Sequence, residues 1–268
     1  MKDFRSRFGF HSTPFTRELS PDCRFSIPLL DEPVDALERI VEHRMSAVLI
    51  APAGTGKTAV LRALAARLPE ARYRVRYLKV TGLGMRDMCR EIASATGCPT
   101  AGTFPALVRK LQDHFLQIAD TDGLRQVLLV DEAHDLRPEV LAIVRILTNF
   151  AMDSRLVLSL ILCGQAPLRT LLSRDDLEDV ARRMALYTTL RPLTREETLR
   201  YLEHRCAIAG APTLPFDTRA CDAIFEIGRG NLRATDNLAL ESLQLAHQAE
   251  LDSVGYNHVV DARRLLWP

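Results

Sequence analysis

A buried strand, a glycine loop and a helix follow one another without interruption between residues 47 and 68, and this succession constrains the fold more than any other stretch. Ala47-Val48-Leu49-Ile50 reads as a buried strand, and residues 58–68 carry Leu61, Leu64, Ala65 and Leu68 at helical i, i+3, i+4, i+7 spacing. Between them lies Ala51-Pro52-Ala53-Gly54-Thr55-Gly56-Lys57-Thr58. Gly54 and Gly56 let the backbone wrap so that its N–H groups point at an anion, and the helix N-terminus adds a favourable dipole. This is the strand–loop–helix context of a phosphate-binding P-loop. Ala51 replaces the first glycine of the usual pattern and is small enough to keep the loop tight. The pattern predicts an ATP cradle formed by Ala53, Gly54, Thr55, Gly56, Lys57, Thr58 and Ala59. Lys57 reaches the β- and γ-phosphates, and the Thr58 hydroxyl ligates Mg²⁺.

A second chemical signal is Val127-Leu128-Leu129-Val130-Asp131-Glu132, an apolar strand ending in two carboxylates. In this Walker B arrangement Asp131 holds the Mg²⁺, and Glu132 orients and polarises the attacking water as a general base. Further strands are expected at 74–80, 156–162 and 186–190. Helices are expected at 35–44, 85–96, from Thr103 as N-cap, and at 138–150. Strands alternating with helices point to a parallel sheet covered on both faces. From residue 191 onward four helices are expected, at 194–209, 217–227, 232–249 and 257–266. The expected organisation is an N-terminal extension (1–30) packing on the ATPase core, an α/β nucleotide-binding domain (31–191) and a helical lid (192–268). Phe4, Phe8, Phe10, Phe15 and Phe25 make the extension aromatic. It either lines an adenine pocket or simply packs.

Composition narrows the classes that remain. Thirty-five Lys and Arg against 34 Asp and Glu leave a net charge of +1, so global charge selects no partner. Lysine occurs only at positions 2, 57, 79 and 110. The arginine excess fits either phosphate recognition or codon bias. The six cysteines form no CxxC pair and the seven histidines no HxxxH, so no metal site is assigned to them and reduced thiols are expected. No apolar run approaches the roughly 18 to 20 residues of a membrane span, and no signal peptide is visible. A cytoplasmic location is the expectation.

The two motifs with a helical lid behind them resemble the AAA+ superfamily, and within it the ExeA-like group and the related transposition regulators TnsC and MuB. Further stretches that carry the resemblance are Phe8-Gly9-Phe10-His11-Ser12-Thr13-Pro14-Phe15, Leu160-Ile161-Leu162-Cys163-Gly164-Gln165, and Leu190-Arg191-Pro192-Leu193-Thr194-Arg195-Glu196-Glu197-Thr198. It implies a P-loop AAA+ fold with a five-stranded parallel sheet in the order 5-1-4-3-2 and a C-terminal helical lid. It also implies roles: Gln165 as sensor 1, Arg183 as an arginine finger acting on a neighbouring subunit with Arg182 as alternate, and Arg233 as sensor 2 with Arg229 as competitor.

Fold alone does not select what such an ATPase acts on. The segment Thr81-Gly82-Leu83-Gly84-Met85-Arg86-Asp87 carries an arginine and no aromatic residue, which suits a nucleic-acid backbone better than a threaded polypeptide. Arg86, Thr103 and Lys110, with Arg109 beside it, are the candidate contacts to duplex DNA. No stretch of the sequence reads as the membrane span or periplasmic region of the secretion members, so neither is expected. The expectation is therefore a regulator of DNA transposition that assembles with itself on DNA, largely independently of sequence, and recruits a transposase, with a target-selection protein as a further partner. The alternative is a secretion or envelope-assembly ATPase acting through protein contacts.

Overall fold

The computed structural model describes residues 3–16, 18–80, 82–150 and 154–267. Thr81, at the start of the loop that carries Arg86, lies outside them. The described residues fall into two compact units, one drawn from Pro28–Pro52 and Gly56–Leu190, the other from Met1–Ile27, Ala53–Thr55 and Arg191–Pro268.

The α/β unit is built on five parallel strands: β1 (Ser46–Ile50), β2 (Tyr73–Lys79), β3 (Arg125–Asp131), β4 (Leu158–Gly164) and β5 (Met184–Thr189). Their order, β2-β3-β4-β1-β5, is the expected one. Burial explains the composition of each strand. β1 and β4 are buried at every residue, and β3 at all but its first, as central strands of a sheet covered on both faces must be. The edge strands β2 and β5 mix buried and half-buried positions with exposed ones. Helices α2 (Pro28–Glu42), α3 (Lys57–Arg67), α4 (Met85–Thr96), α5 (Phe104–Gln117), α6 (Pro138–Thr148), α7 (Pro167–Leu172) and α8 (Glu178–Ala181) belong to the same unit. α2 begins seven residues before the expected start at 35, because Pro28 opens the helix and Pro33 is accommodated within it. Pro28 at the first position forfeits little, since the early N–H groups have no helical partner, whereas Pro33 in the second turn gives up the bond to Leu29 O and is buried there. β4 starts at Leu158 rather than 156 and runs on to Gly164, which carries its end to the functional edge of the sheet.

The other unit contains α1 (Phe4–Phe8), α9 (Arg195–Ile208), α10 (Thr218–Gly228), α11 (Leu232–Gln248) and α12 (Tyr256–Leu266). Three side-chain caps set the starts of its larger helices. Thr194 and Glu197 form a capping box on α9, Asp217 caps α10 through the Ala220 N–H, and Asn231 caps α11 through the Ala234 N–H. The placement of the N-terminal aromatics differs from the expected packing of the extension on the ATPase core. Phe8, Phe10 and Phe15 are buried in one cluster with Leu202, Phe216, Ile224, Leu238 and Leu243 of the lid helices. Four short helices expose apolar faces that they cannot cover among themselves, and each buried Phe supplies about 1.5–3 kcal/mol.

Candidate nucleotide site

Register sets the site. Ile50 on β1 lies beside Gly164 on β4, Val130 on β3 beside Leu162 on β4, and Lys79 on β2 beside Asp131 on β3. The C-terminal ends of β1, β4 and β3 thus share one edge, where ligands bind in open α/β sheets. From β1 the chain enters the glycine loop. Gly54 and Gly56 hold φ of 76° and 104°, values that the missing Cβ permits. Gly56 is the N-cap of α3, so Lys57 opens the helix. Lys57 is only 6% exposed. Its Nζ lies 3.6 Å from Glu132 Oε1. A buried ammonium without an anion is costly, and the same position suits a phosphate oxygen. Thr58, one residue on, is exposed.

The two carboxylates after β3 are held differently. Asp131 is 3% exposed. Its Oδ2 accepts a hydrogen bond from the Tyr77 hydroxyl at 2.8 Å, and its Oδ1 accepts one from the Glu132 N–H at 2.9 Å. Burial and this bond to Asp131 push the Tyr77 phenol above its ordinary range, so it remains a donor. Cys163, buried on β4, is likewise held as a neutral thiol, by burial first and by the charge of Asp131 second. Among the described residues no Lys, Arg or His nitrogen forms an ion pair with Asp131. A buried carboxylate with spare lone pairs and no cation partner suits Mg²⁺, which takes one or two protein oxygens and fills its other positions with phosphates and water. That habit also accounts for the lack of any three-ligand metal cluster among the described residues.

Glu132 adopts the left-handed conformation, φ 57°, uncommon for a residue with a Cβ. This turn swings its carboxylate out of the strand direction. One oxygen faces Lys57, and the other, Oε2, lies 3.5 Å from His134 Nδ1. His134 sits in the short turn Ala133–Asp135. Its Nε2 is 3.0 Å from the Gln165 side-chain nitrogen, and its Nδ1 is 3.4 Å from the Gln165 backbone N–H. Lys57, Asp131, Glu132 and Gln165, read separately in the sequence, are therefore gathered at one edge. Tyr77 and His134 belong with them and were not singled out by sequence. His134 stands two residues beyond Glu132, and that proximity was the available signal. Tyr77 offered none beyond its strand.

Arg182, Arg86, Thr103 and Lys110 take no part in the contacts just described, and Arg229 and Arg233 belong to the other unit. Arg183 is half-buried just ahead of β5, and Arg182 is exposed and ion-paired with Glu178 at 2.6 Å. Arg233 is exposed in the first turn of α11, where its N–H donates to Gly54 O at 3.2 Å. Asn231 Nδ2 donates to Ala53 O at 2.6 Å, a contact in the unit that holds residues 53–55. Gly54 permits it, because a Cβ there would stand 2.3 Å from Asn231 Oδ1. Arg229 is the left-handed C-cap of α10. Arg86 Nη2 donates to Gly102 O and Lys110 Nζ to Ala101 O, each at 2.9 Å. Thr103 flanks α5 as its N-cap residue, but its side chain makes no capping hydrogen bond.

Residues 39–172, half of the chain, match the family described as AAA domain. The chain belongs to the AAA domain family. It is an ATPase of that family, and the Walker residues lie inside the matched region. It is also 30% identical over 227 residues to general secretion pathway protein A of Aeromonas hydrophila, covering 83% of this chain and 41% of that protein. The chain thus spans less than half the length of this relative. Solved AAA-type folds resemble it throughout. Cdc6p from Pyrobaculum aerophilum superposes with a TM-score of 0.74 at 18% identity, covering 93% of this chain and 69% of that chain. The Aeropyrum pernix ORC1 protein, solved in complex with DNA, gives 0.71 at 18% identity, covering 99% and 71%. At that identity the likeness concerns the fold. Among the described residues no helix is long and apolar enough to cross a membrane.

Proposed function

We propose that this AAA domain is an ATP-driven assembly ATPase that works through protein contacts in secretion or envelope assembly. The observation that carries this reading is the 30% identity to general secretion pathway protein A over 83% of the chain, with the glycine loop, Asp131, Glu132 and Gln165 lying within residues 39–172 of the family match. In this reading the loop from Ala53 to Ala59 cradles the phosphates, and Thr58 and Asp131 hold Mg²⁺. Glu132 orients the water, Gln165 senses the γ-phosphate from the end of β4, and Arg233 senses it from the lid. Arg183 completes the site of a neighbouring copy. Mixing Arg183→Ala with Glu132→Gln then restores part of the hydrolysis that each lacks alone, because some mixed interfaces pair an intact finger with an intact base. No recovery in a mixture that co-assembles removes the finger.

One observation favours a second reading, an ATP-dependent regulator of DNA transposition that recruits a transposase. Arg86 and Lys110 converge on adjacent carbonyls of the loop before α5, next to the uncapped Thr103 hydroxyl. Two cations and a hydroxyl suit phosphate oxygens without reading bases. Fluorescence polarisation with a duplex, a non-hydrolysable ATP analogue and a salt series separates the two. ATP-dependent binding that weakens steeply with salt selects the DNA reading. No binding at low salt leaves the secretion reading in place.

A further inference from the structure

His134 is 11% exposed in its side chain and faces Glu132 and Gln165 at once, with Asp135 Oδ1 farther off, 3.7 Å from Nε2. Glu132 Oε2 is 3.5 Å from Nδ1, and the Gln165 side-chain nitrogen is 3.0 Å from Nε2. The approach is close because β4 ends in glycine. A Cβ at Gly164 would stand 3.2 Å from both the backbone nitrogen and Nδ1 of His134.

The demands on this ring conflict. A neutral imidazole has one donor nitrogen and one acceptor nitrogen. Glu132, a carboxylate 3.5 Å away and not hydrogen-bonded to the ring in this arrangement, favours a proton on Nδ1 by its charge. The Gln165 backbone N–H, 3.4 Å from the same Nδ1, asks it to accept. Each setting dictates what the far side of the ring does. With the proton on Nδ1, Nε2 accepts from the Gln165 amide NH₂, and the side-chain oxygen of Gln165 is the end left to face outward. With the proton on Nε2, that nitrogen donates to the Gln165 side-chain oxygen, and the NH₂ is released toward an anion. Only the second setting arms Gln165 as a donor to a phosphate oxygen. Passing from one to the other needs Nδ1 to give a proton to water and Nε2 to take one from water, so the ring stays neutral.

We propose that His134 is a positioning residue that couples Gln165 to Glu132 through its tautomer: while the Glu132 carboxylate faces Nδ1, the Gln165 amide is turned away from phosphate, and when Glu132 leaves to orient water, the amide turns toward it. The inference rests on the reading of Glu132 as base and Gln165 as sensor. It deepens that reading by making the two act as one device.

Two measurements test it. The first is the tautomer itself, read from imidazole ¹⁵N shifts of the nucleotide-free protein, with the His134 signal assigned by its loss in His134→Gln. The expected result is Nδ1–H in wild type and a shift toward Nε2–H in Glu132→Ala. The second is a double-mutant cycle in hydrolysis. His134→Ala is expected to lower kcat about 30-fold, less than the 10²- to 10⁴-fold typical of removing a catalytic group, with nucleotide Kd within about twofold. His134→Ala combined with Gln165→Ala is expected to be no slower than the slower single variant, since coupled residues are non-additive. His134→Gln, whose amide reaches the Nε2 position, restores part of the rate and serves in the cycle if His134→Ala fails to fold. A tautomer that ignores Glu132, or losses that multiply, overturns the coupling. Hydrolysis that is unchanged in Glu132→Gln and in Gln165→Ala overturns the site reading beneath it, a result distinct from the first two.

Discussion

Two polar clusters in the same unit are built in opposite ways. At the C-terminal edge of β1, β3 and β4, Lys57 and Asp131 are buried, His134 and Glu132 are partly so and Tyr77 is about half exposed, and the groups contact one another: Tyr77 with Asp131, Lys57 with Glu132, Glu132 with His134, His134 with Gln165. At the α4–α5 corner, Arg86, Thr103 and Lys110 are exposed, and both cations rest on carbonyls of the adjacent loop. Burial of charge is tolerated only where the geometry repays desolvation, so the first cluster is a dedicated site. The second is inexpensive to build anywhere on a surface. The difference teaches that the ATPase chemistry is written into the packing, whereas the partner is written, if at all, on side chains that water already serves.

The largest effects are expected at the buried cluster. Lys57→Ala abolishes nucleotide binding in an equilibrium assay with a fluorescent analogue. Glu132→Gln retains binding and slows hydrolysis by about 10²- to 10⁴-fold. Equal turnover in wild type and Glu132→Gln would deny Glu132 the role of base. Next in size is Tyr77→Phe, which removes one bond to a buried carboxylate. A hydrogen bond to a charged group is worth about 1.5–3 kcal/mol, so the Mg²⁺ concentration for half-maximal hydrolysis shifts by roughly tenfold or more. An unshifted Mg²⁺ dependence places Tyr77 outside the metal's surroundings. Smaller still are Arg86→Ala and Lys110→Ala. If the corner meets DNA, each lowers affinity uniformly across sequences and reduces the salt slope by about one, with hydrolysis unchanged. A loss of ATPase activity in these variants would collapse the distinction between the two clusters.

The smallest effect concerns the lid unit, where an exposed arginine meets a mostly buried carboxylate. Arg191 donates to both oxygens of Glu197, at 2.7 and 2.9 Å, and the Thr194 N–H donates to one of them at 2.8 Å. The guanidinium bonds first, and the Thr194 N–H with them, hold the carboxyl down at about 2, against the opposing push of burial. A depressed carboxylate stabilises the fold above its ordinary value near 4.5, and that contribution fades as pH falls toward about 2. Glu197→Ala, which also loses half of a capping box, is expected to cost about 1 kcal/mol at neutral pH and progressively less in acid. Thermal melts at pH 7 and pH 3 check this, and an equal loss at both values would exclude the charge.

The glycine loop and the carboxylate-ended strand were legible from sequence because their signals are local, whereas the strand order followed only from the resemblance to the AAA+ superfamily. The glycine loop needs its residues consecutive, and the Walker carboxylates terminate an apolar run. Lid helix boundaries were readable for the same reason, since Thr194, Asp217 and Asn231 are caps at their own helix starts. What escaped depends on neighbours distant in the chain. Tyr77 reaches Asp131 across 54 residues, and His134 meets Gln165 across 31. Neither spacing has any periodicity. The first seven residues of α2 were not expected because two prolines there weigh against a helix in isolation, yet Leu30, Pro33 and Val34 are buried in it. The N-terminal aromatics signalled burial without naming the surface that buries them.

That surface has a consequence for how the chain comes off the ribosome. Phe8, Phe10 and Phe15 belong to a core completed by Leu202, Phe216 and Leu243. At synthesis rates of about 5–20 residues per second, these rings wait roughly 10–40 s for their partners to emerge. The α/β unit can condense in that interval, but the lid cannot, because its core is assembled from segments that lie on either side of the α/β unit in sequence. The order of maturation is therefore set by connectivity: sheet first, lid last, with the aromatic segment around Phe8, Phe10 and Phe15 exposed to chaperones in between.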